Sequence, residues 1–117
     1  MEIRIKRIYE PYAPSDGYRI LVDRLWPRGI KKTEAHIDLW LKEIAPSTKL
    51  RKWFAHIPSK WPKFREKYRE ELKDNETLGQ LLETAGTHHV ITLLYGAKDE
   101  EHNDAVVLKE YLAGRGH

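Results

Sequence analysis

No cysteine occurs anywhere in this chain of 117 residues. Disulfides, thiolate-bound metals and a cysteine nucleophile are excluded at once, and nothing argues for an oxidising, secreted setting. Long apolar runs are missing as well. The longest, around "VITLLY", falls far short of the ~20 residues that span a bilayer. The opening "MEIRIKRIY" alternates polar and apolar residues and lacks the apolar centre of a secretory leader. These gaps predict a cytoplasmic protein with no membrane partner. Also missing are a Walker loop, a Gly-x-Gly-x-x-Gly turn, a nucleophile elbow and a His-Glu-x-x-His helix. Their absence removes most of the case for ATP, nicotinamide or zinc-peptidase chemistry, and nothing in the sequence names a cofactor.

What is there suits one folded domain over residues 1–117. Apolar residues make up 40% and charged residues 33%, and no repeat or linker divides the chain. The formal charge is +3, from 21 basic and 18 acidic residues. That surplus is too small to imply nucleic acid by itself. Basic residues concentrate in 1–73, whereas "KDEEHND" brings acid near the C-terminus, which permits a basic face.

Periodicity predicts the elements. Residues 2–8 alternate like a strand with one wet face, residues 18–23 ("YRILVD") read as a strand covered on both faces, and residues 89–95 ("HVITLLY") as another. Nine residues separate the first two strands, few for a parallel crossover, which leaves the direction of the first strand open. The middle reads as helical. Ile37, Trp40, Leu41 and Ile44 fall at i, i+3, i+4 and i+7; Ser47 caps a second helix with Leu50, Trp53, Phe54 and Ile57 inward; Ser59 opens a third with Trp61, Phe64, Tyr68 and Leu72. Asn75 caps a fourth, with Leu78, Leu81, Leu82 and Ala85 inward, ending at Gly86. Asp99 caps a last one through Leu112. The expected architecture is α/β: a small, mainly parallel sheet of three strands or slightly more, covered by about five helices.

Why, then, does the strand in "LVDRLWPRG" end in two arginines and a tryptophan? Ligands of open α/β sheets sit beyond the carboxyl ends of the strands. If the strands ending at Asp23 and Tyr95 are parallel neighbours, two clusters converge there: Asp23, Arg24, Trp26 and Arg28 from one, Lys98, Asp99, His102 and Asn103 from the other. Arg24 and Arg28 taken singly read as surface ion pairs, with Asp23, Asp38 or Glu43 as partners. Together they suit planar recognition of phosphate or carboxylate. Trp26 reads first as core and second as a stacking surface. Asp99 is expected to take the free amides of the last helix, leaving Lys98 and His102 to face a ligand. The helix end would favour a neutral His102 imidazole able to move a proton. Asp99 and His102 make only two metal ligands, so no metal site is predicted. His56 reaches the cleft only if its helix points there. His88 and His89 fall at the amino end of a strand, His36 at a loop boundary, and His117 at the chain end.

Four strings carry a wider likeness: "DGYRILVDRLWPRG", "LWLKEIAPSTKLRKWFAH", "WPKFREKYREEL" and "TLLYGAKDEEHNDAVVLKEYL". The chain resembles the YeaO-like branch of domain-of-unknown-function family 488 over nearly its whole length. The resemblance implies a small bacterial or archaeal α/β protein and supplies no reaction. It carries over Asp23, Arg24, Trp26, Pro27, Arg28 and Gly29, then Trp40, Lys42, Glu43, Pro46 and Ser47. From the later strings it adds Trp53, Phe54 and His56, and Lys98, Asp99, His102 and Asn103. His56 is followed by Ile57 where the pattern commonly has Asp. Asp104 also departs from it, at a point expected to lie where the last helix leaves the cleft.

Three functions compete. In the first, a small anionic ligand, a nucleotide or phosphorylated metabolite, is bound and may be acted upon. Arg24 and Arg28 hold the anion with Lys98 in support, Trp26 flanks an aromatic or sugar portion, Asp23 orients Arg24, and Asp99 or His102 handles a proton. The second is nucleic-acid binding through "KLRKWF" and "SKWPKFREKYR", where bases alternate with aromatics. Helical spacing favours those aromatics as core. The third is a non-catalytic interaction module, whose sign would be an exposed apolar patch away from the cleft.

Overall fold

The structure, a computed structural model, describes residues 2–115, so His117 lies outside it. Strands β1 (Glu2–Arg7), β2 (Tyr18–Leu21), β3 (Leu39–Trp40) and β4 (Val90–Tyr95) form a sheet in the order β1-β4-β2-β3. Every neighbouring pair is parallel. The most apolar run, β4, takes a central place with all but its first residue buried. The more charged β1 takes an edge, placing Ile3 and Ile5 against the core and Arg4 and Lys6 on the other face.

The direction left open for β1 is parallel. It does not adjoin β2, because β4 lies between them. The short return, residues 8–17, needs no helix: ten residues at about 3.3 Å each reach back along a six-residue strand. It runs over the face carrying Lys6 and Thr92. There Lys6 Nζ donates to Asp16 at 3.0 Å, and Thr92 Oγ1 donates to the Asp16 carbonyl at 2.6 Å. Buried Arg19 completes this knot by donating to the Asp16 carboxylate and to the carbonyls of His36 and Ala35. Gly17 closes the return at φ 68°, where a Cβ would collide with the backbone of Val90.

Four α-helices, α1 (Thr48–Phe54), α2 (Trp61–Lys73), α3 (Thr77–Gly86) and α4 (Asp104–Arg115), are found among the described residues. All four contribute to the core on the sheet face of Ile20, Ile91, Leu93 and Tyr95. The opposite face is covered by loop residues Trp26, Ile30 and Ile37 with Trp40 of β3, over Ile8, Leu21 and Leu94. Four strands and four α-helices among the described residues stand beside the expected three strands or slightly more and about five helices.

The difference lies in residues 37–44, expected as a helix. They form β3 followed by a 3-10 turn, Lys42–Ile44. Their apolar spacing serves both faces: Ile37 and Trp40 pack on one side of the sheet, Leu41 and Ile44 on the other. The extended path is fixed by pairing with Ile20 and Leu21, and by Asp38, whose carboxylate accepts the Arg19 amide at 2.8 Å.

Ser47 caps α1 as expected, accepting from Leu50 N at 3.1 Å. That helix stops at Phe54, because Ala55 and His56 turn left-handed at φ 47° and 55°. Trp53 and Ile57 are exposed rather than core. Asn75 accepts the Thr77 amide at 2.8 Å ahead of α3. The last helix begins later than expected. Asn103, not Asp99, caps it, accepting from Val106 N at 3.0 Å.

Candidate functional site

Because β2 and β4 run side by side in the same direction, their polar continuations leave the sheet together. They open onto a cavity of about 590 Å³, within the range usual for small-molecule sites. Its walls bring together Asp23, Arg24, Trp26 and Arg28 after β2 with Gly96, His102, Asn103 and Asp104 after β4. The convergence expected from the two strand ends is present. Two residues expected beside it are placed differently. Lys98 is exposed and does not line the cavity. Asp99 stands behind His102 and is likewise absent from the wall.

His102 precedes α4, so the helix-end argument for its neutral form does not apply. Its orientation has another source. The Asp99 carboxylate contacts His102 Nδ1 at 2.8 Å and accepts the amides of Glu101 and His102 at 2.9 and 3.0 Å. The hydrogen bond with His102, then the Glu101 amide, hold the Asp99 carboxyl below its ordinary range. Trp61 meets the imidazole edge-on at 5.1 Å between centroids. This Asp-His arrangement fixes one ring nitrogen and leaves Nε2 for another partner.

Arg24 is held by Glu43 at 3.5 Å and by the carbonyls of Ala45 and Pro46 at 3.2 and 3.4 Å. Asp23, expected to orient it, is engaged elsewhere. Asp23 Oδ2 accepts the Gly96 amide at 2.8 Å, tying the two strand ends together. The Arg24 Nε is buried without a hydrogen-bond partner. Arg28 is exposed at the mouth, where its carbonyl accepts from Tyr9 at 2.9 Å. Trp26 lines the cavity and packs edge-on against Trp40 at 5.5 Å. Its indole donates to the Ile30 carbonyl at 2.7 Å.

Three lining residues escaped the sequence argument or were set aside by it. Arg51 projects from α1, and His56 follows from the left-handed turn that ends this helix. Asp104, assigned to a helix leaving the cleft, instead faces Asp23. The two carboxyls are in hydrogen-bond contact, and burial raises Asp23 above its ordinary value, opposed by that bond and by the Gly96 amide. Burial, then the charge of Asp23, holds Asp104 well above its own. Two contacting carboxyls cannot both ionise cheaply, so the pair holds a proton more tightly than separate carboxyls would. Phe54 and Phe64, stacked at 4.3 Å, supply an apolar wall. A local signal existed for His56 in the motif ending "WFAH"; none existed for the meeting of Asp23 with Asp104.

Among the described residues no group of three or more His, Asp or Glu side chains has metal-binding geometry, and no helix is long and apolar enough to cross a membrane. The aromatics proposed to stack on nucleic acid are mostly internal. Phe64 and Tyr68 are buried and Trp61 packs against the core. Trp53 is exposed, with Lys60 and Lys67 over its ring at 5.0 and 5.4 Å. Tyr9 and Leu25, two of the large exposed apolar residues, sit at the cavity rather than away from it.

The family model described as "Inactive DUF488-N3 subclade" matches residues 2–116. The chain is similar to "Uncharacterized protein YeaO" of Escherichia coli K12, at 51% identity over 96% of this chain and 97% of that protein. It is also 39% identical to "Uncharacterized protein Rv3073c" of Mycobacterium tuberculosis H37Rv, covering 97% of this chain and 95% of that one. No solved structure matches the chain.

Proposed function

Since the chain belongs to the DUF488-N3 family, in the subclade described as inactive, we propose that it binds a small phosphate- or carboxylate-bearing molecule in the cavity beyond β2 and β4. One observation carries this reading. Arg24, Arg28 and Arg51, with His56 and His102, line a single cavity whose carboxyls among the described residues, Asp23 and Asp104, are both shifted toward their neutral forms. The local charge therefore favours an anion, and guanidinium forks match the planar geometry of phosphate and carboxylate oxygens. Asn103 adds a polar amide to the wall, and Trp26 a ring face. Lys98, exposed nearby, contributes only long-range attraction. Asp99 and His102 form the pair through which a proton would move if the bound molecule reacted, with Nε2 as the exchanging atom. The family's description as inactive favours retention of the ligand without turnover.

Titration calorimetry with inorganic phosphate tests the reading. Measurable binding is expected at low salt, weakened at least about tenfold in Arg51→Met, which keeps the aliphatic stem but removes one charge-assisted contact. Absence of binding in the wild type, or equal binding by the variant, would contradict it.

A further inference from the structure

We infer that the Asp23–Asp104 pair recognises hydroxyl groups on the bound anion, which makes the ligand a phosphorylated polyol: a sugar phosphate, free or within a nucleotide. The inference rests on the anion-binding reading and narrows it. A cavity built for a bare anion has no use for two acids in its wall, since like charge opposes binding. Two carboxyls in contact in the wall are different, because a proton held between them removes part of their charge. The pair then offers one donor and several acceptor sites, which matches vicinal hydroxyls, each both donor and acceptor.

The fold leaves much of this hydrogen-bonding capacity unused. Asp23 gives Oδ2 to the Gly96 amide, and Asp104 gives Oδ1 to the Ala105 amide at 2.9 Å. Capping of α4 is already supplied by Asn103. Each acid thus keeps an oxygen beyond its backbone bond, and the contact between the two carboxyls does not exhaust their lone pairs.

The charges that would hold the phosphate are close by. Arg51 and His56 line the same cavity as Asp23 and Asp104, so groups for the phosphate and for the hydroxyls lie within one small site. The Phe54–Phe64 wall suits the apolar face of a sugar ring or a base. A volume of about 590 Å³ also exceeds what phosphate alone requires.

Calorimetry with inorganic phosphate, ethyl phosphate, ribose 5-phosphate and adenosine monophosphate separates the possibilities. Ribose 5-phosphate is expected to bind at least about tenfold tighter than ethyl phosphate, which has the same charge and no hydroxyl. In Asp104→Leu that ratio falls toward one. Asp23→Asn supplies the same measurement if circular dichroism shows that the leucine variant is unfolded. Tighter binding of adenosine monophosphate than of ribose 5-phosphate assigns the hydroxyls to a nucleotide; equal or weaker binding assigns them to a free sugar phosphate. Equal affinity for ethyl phosphate and ribose 5-phosphate in the wild type overturns the inference and leaves the anion site standing. So does a preference that survives unchanged in the folded aspartate variants. Failure of all four probes removes both readings together.

Discussion

At the scale of single residues, Asp104 makes the sharpest claim. Its ordinary value is 3.8, and burial followed by the charge of Asp23 lifts it well above that. The unfolded chain releases this proton near the ordinary value, whereas the native state keeps it. The stability gained is therefore complete below pH 3.8 and is lost as pH rises through the raised value. The smaller upward shift of Asp23 has the same sign. Asp104→Asn cannot lose the proton, so its denaturant midpoint should gain on the wild type as pH rises above 3.8. A constant difference between the two proteins would contradict the buried pair. Arg24, Arg28 and His102 were legible because strand ends advertise them locally. The Asp23–Asp104 contact was not, since it joins positions 23 and 104 and no short window contains both.

Among the elements, α1 shows how much a cap can carry. Ser47 closes the first turn through Leu50 and also donates Oγ to Glu71 of α2 at 2.6 Å, while its amide donates to the same carboxylate at 2.9 Å. Ser47→Ala removes the cap and one of the bonds to α2, and should cost about 1–2 kcal/mol in chemical denaturation. A loss below a few tenths would mean that Glu71 alone holds the junction. Most elements were readable from period and caps, including the stop at Gly86. Residues 37–44 were not. A spacing of three and four places apolar groups on one side of a helix, but it also serves a chain that crosses a sheet edge and feeds both faces. Only the pairing of Leu39 and Trp40 with β2 decides between them.

For the whole molecule, the sheet divides two unlike environments. Leu93 faces the helical layer and Leu94 faces the loop cover, and both are fully buried. Replacement by alanine should cost about 2–5 kcal/mol at either position, with Leu93 nearer the top, because packed helices collapse into a void less readily than loops. Equal losses in urea unfolding would show that the loop side is as rigid as the helical one. The parallel arrangement of the buried runs was legible, since it follows from their composition; the placing of β4 between β1 and β2 was not, because nothing local records which strand intervenes. That placing leaves β1 at the outer edge of the sheet, where Glu10 meets the outward amide and carbonyl of Arg7. Arg4 and Lys6 alternate along this strand, each paired with an acid, Glu2 and Asp16, so a second molecule adding its own first strand there would have to accommodate charged side chains on one face. An edge strand that carries charge is a poor template for polymerisation.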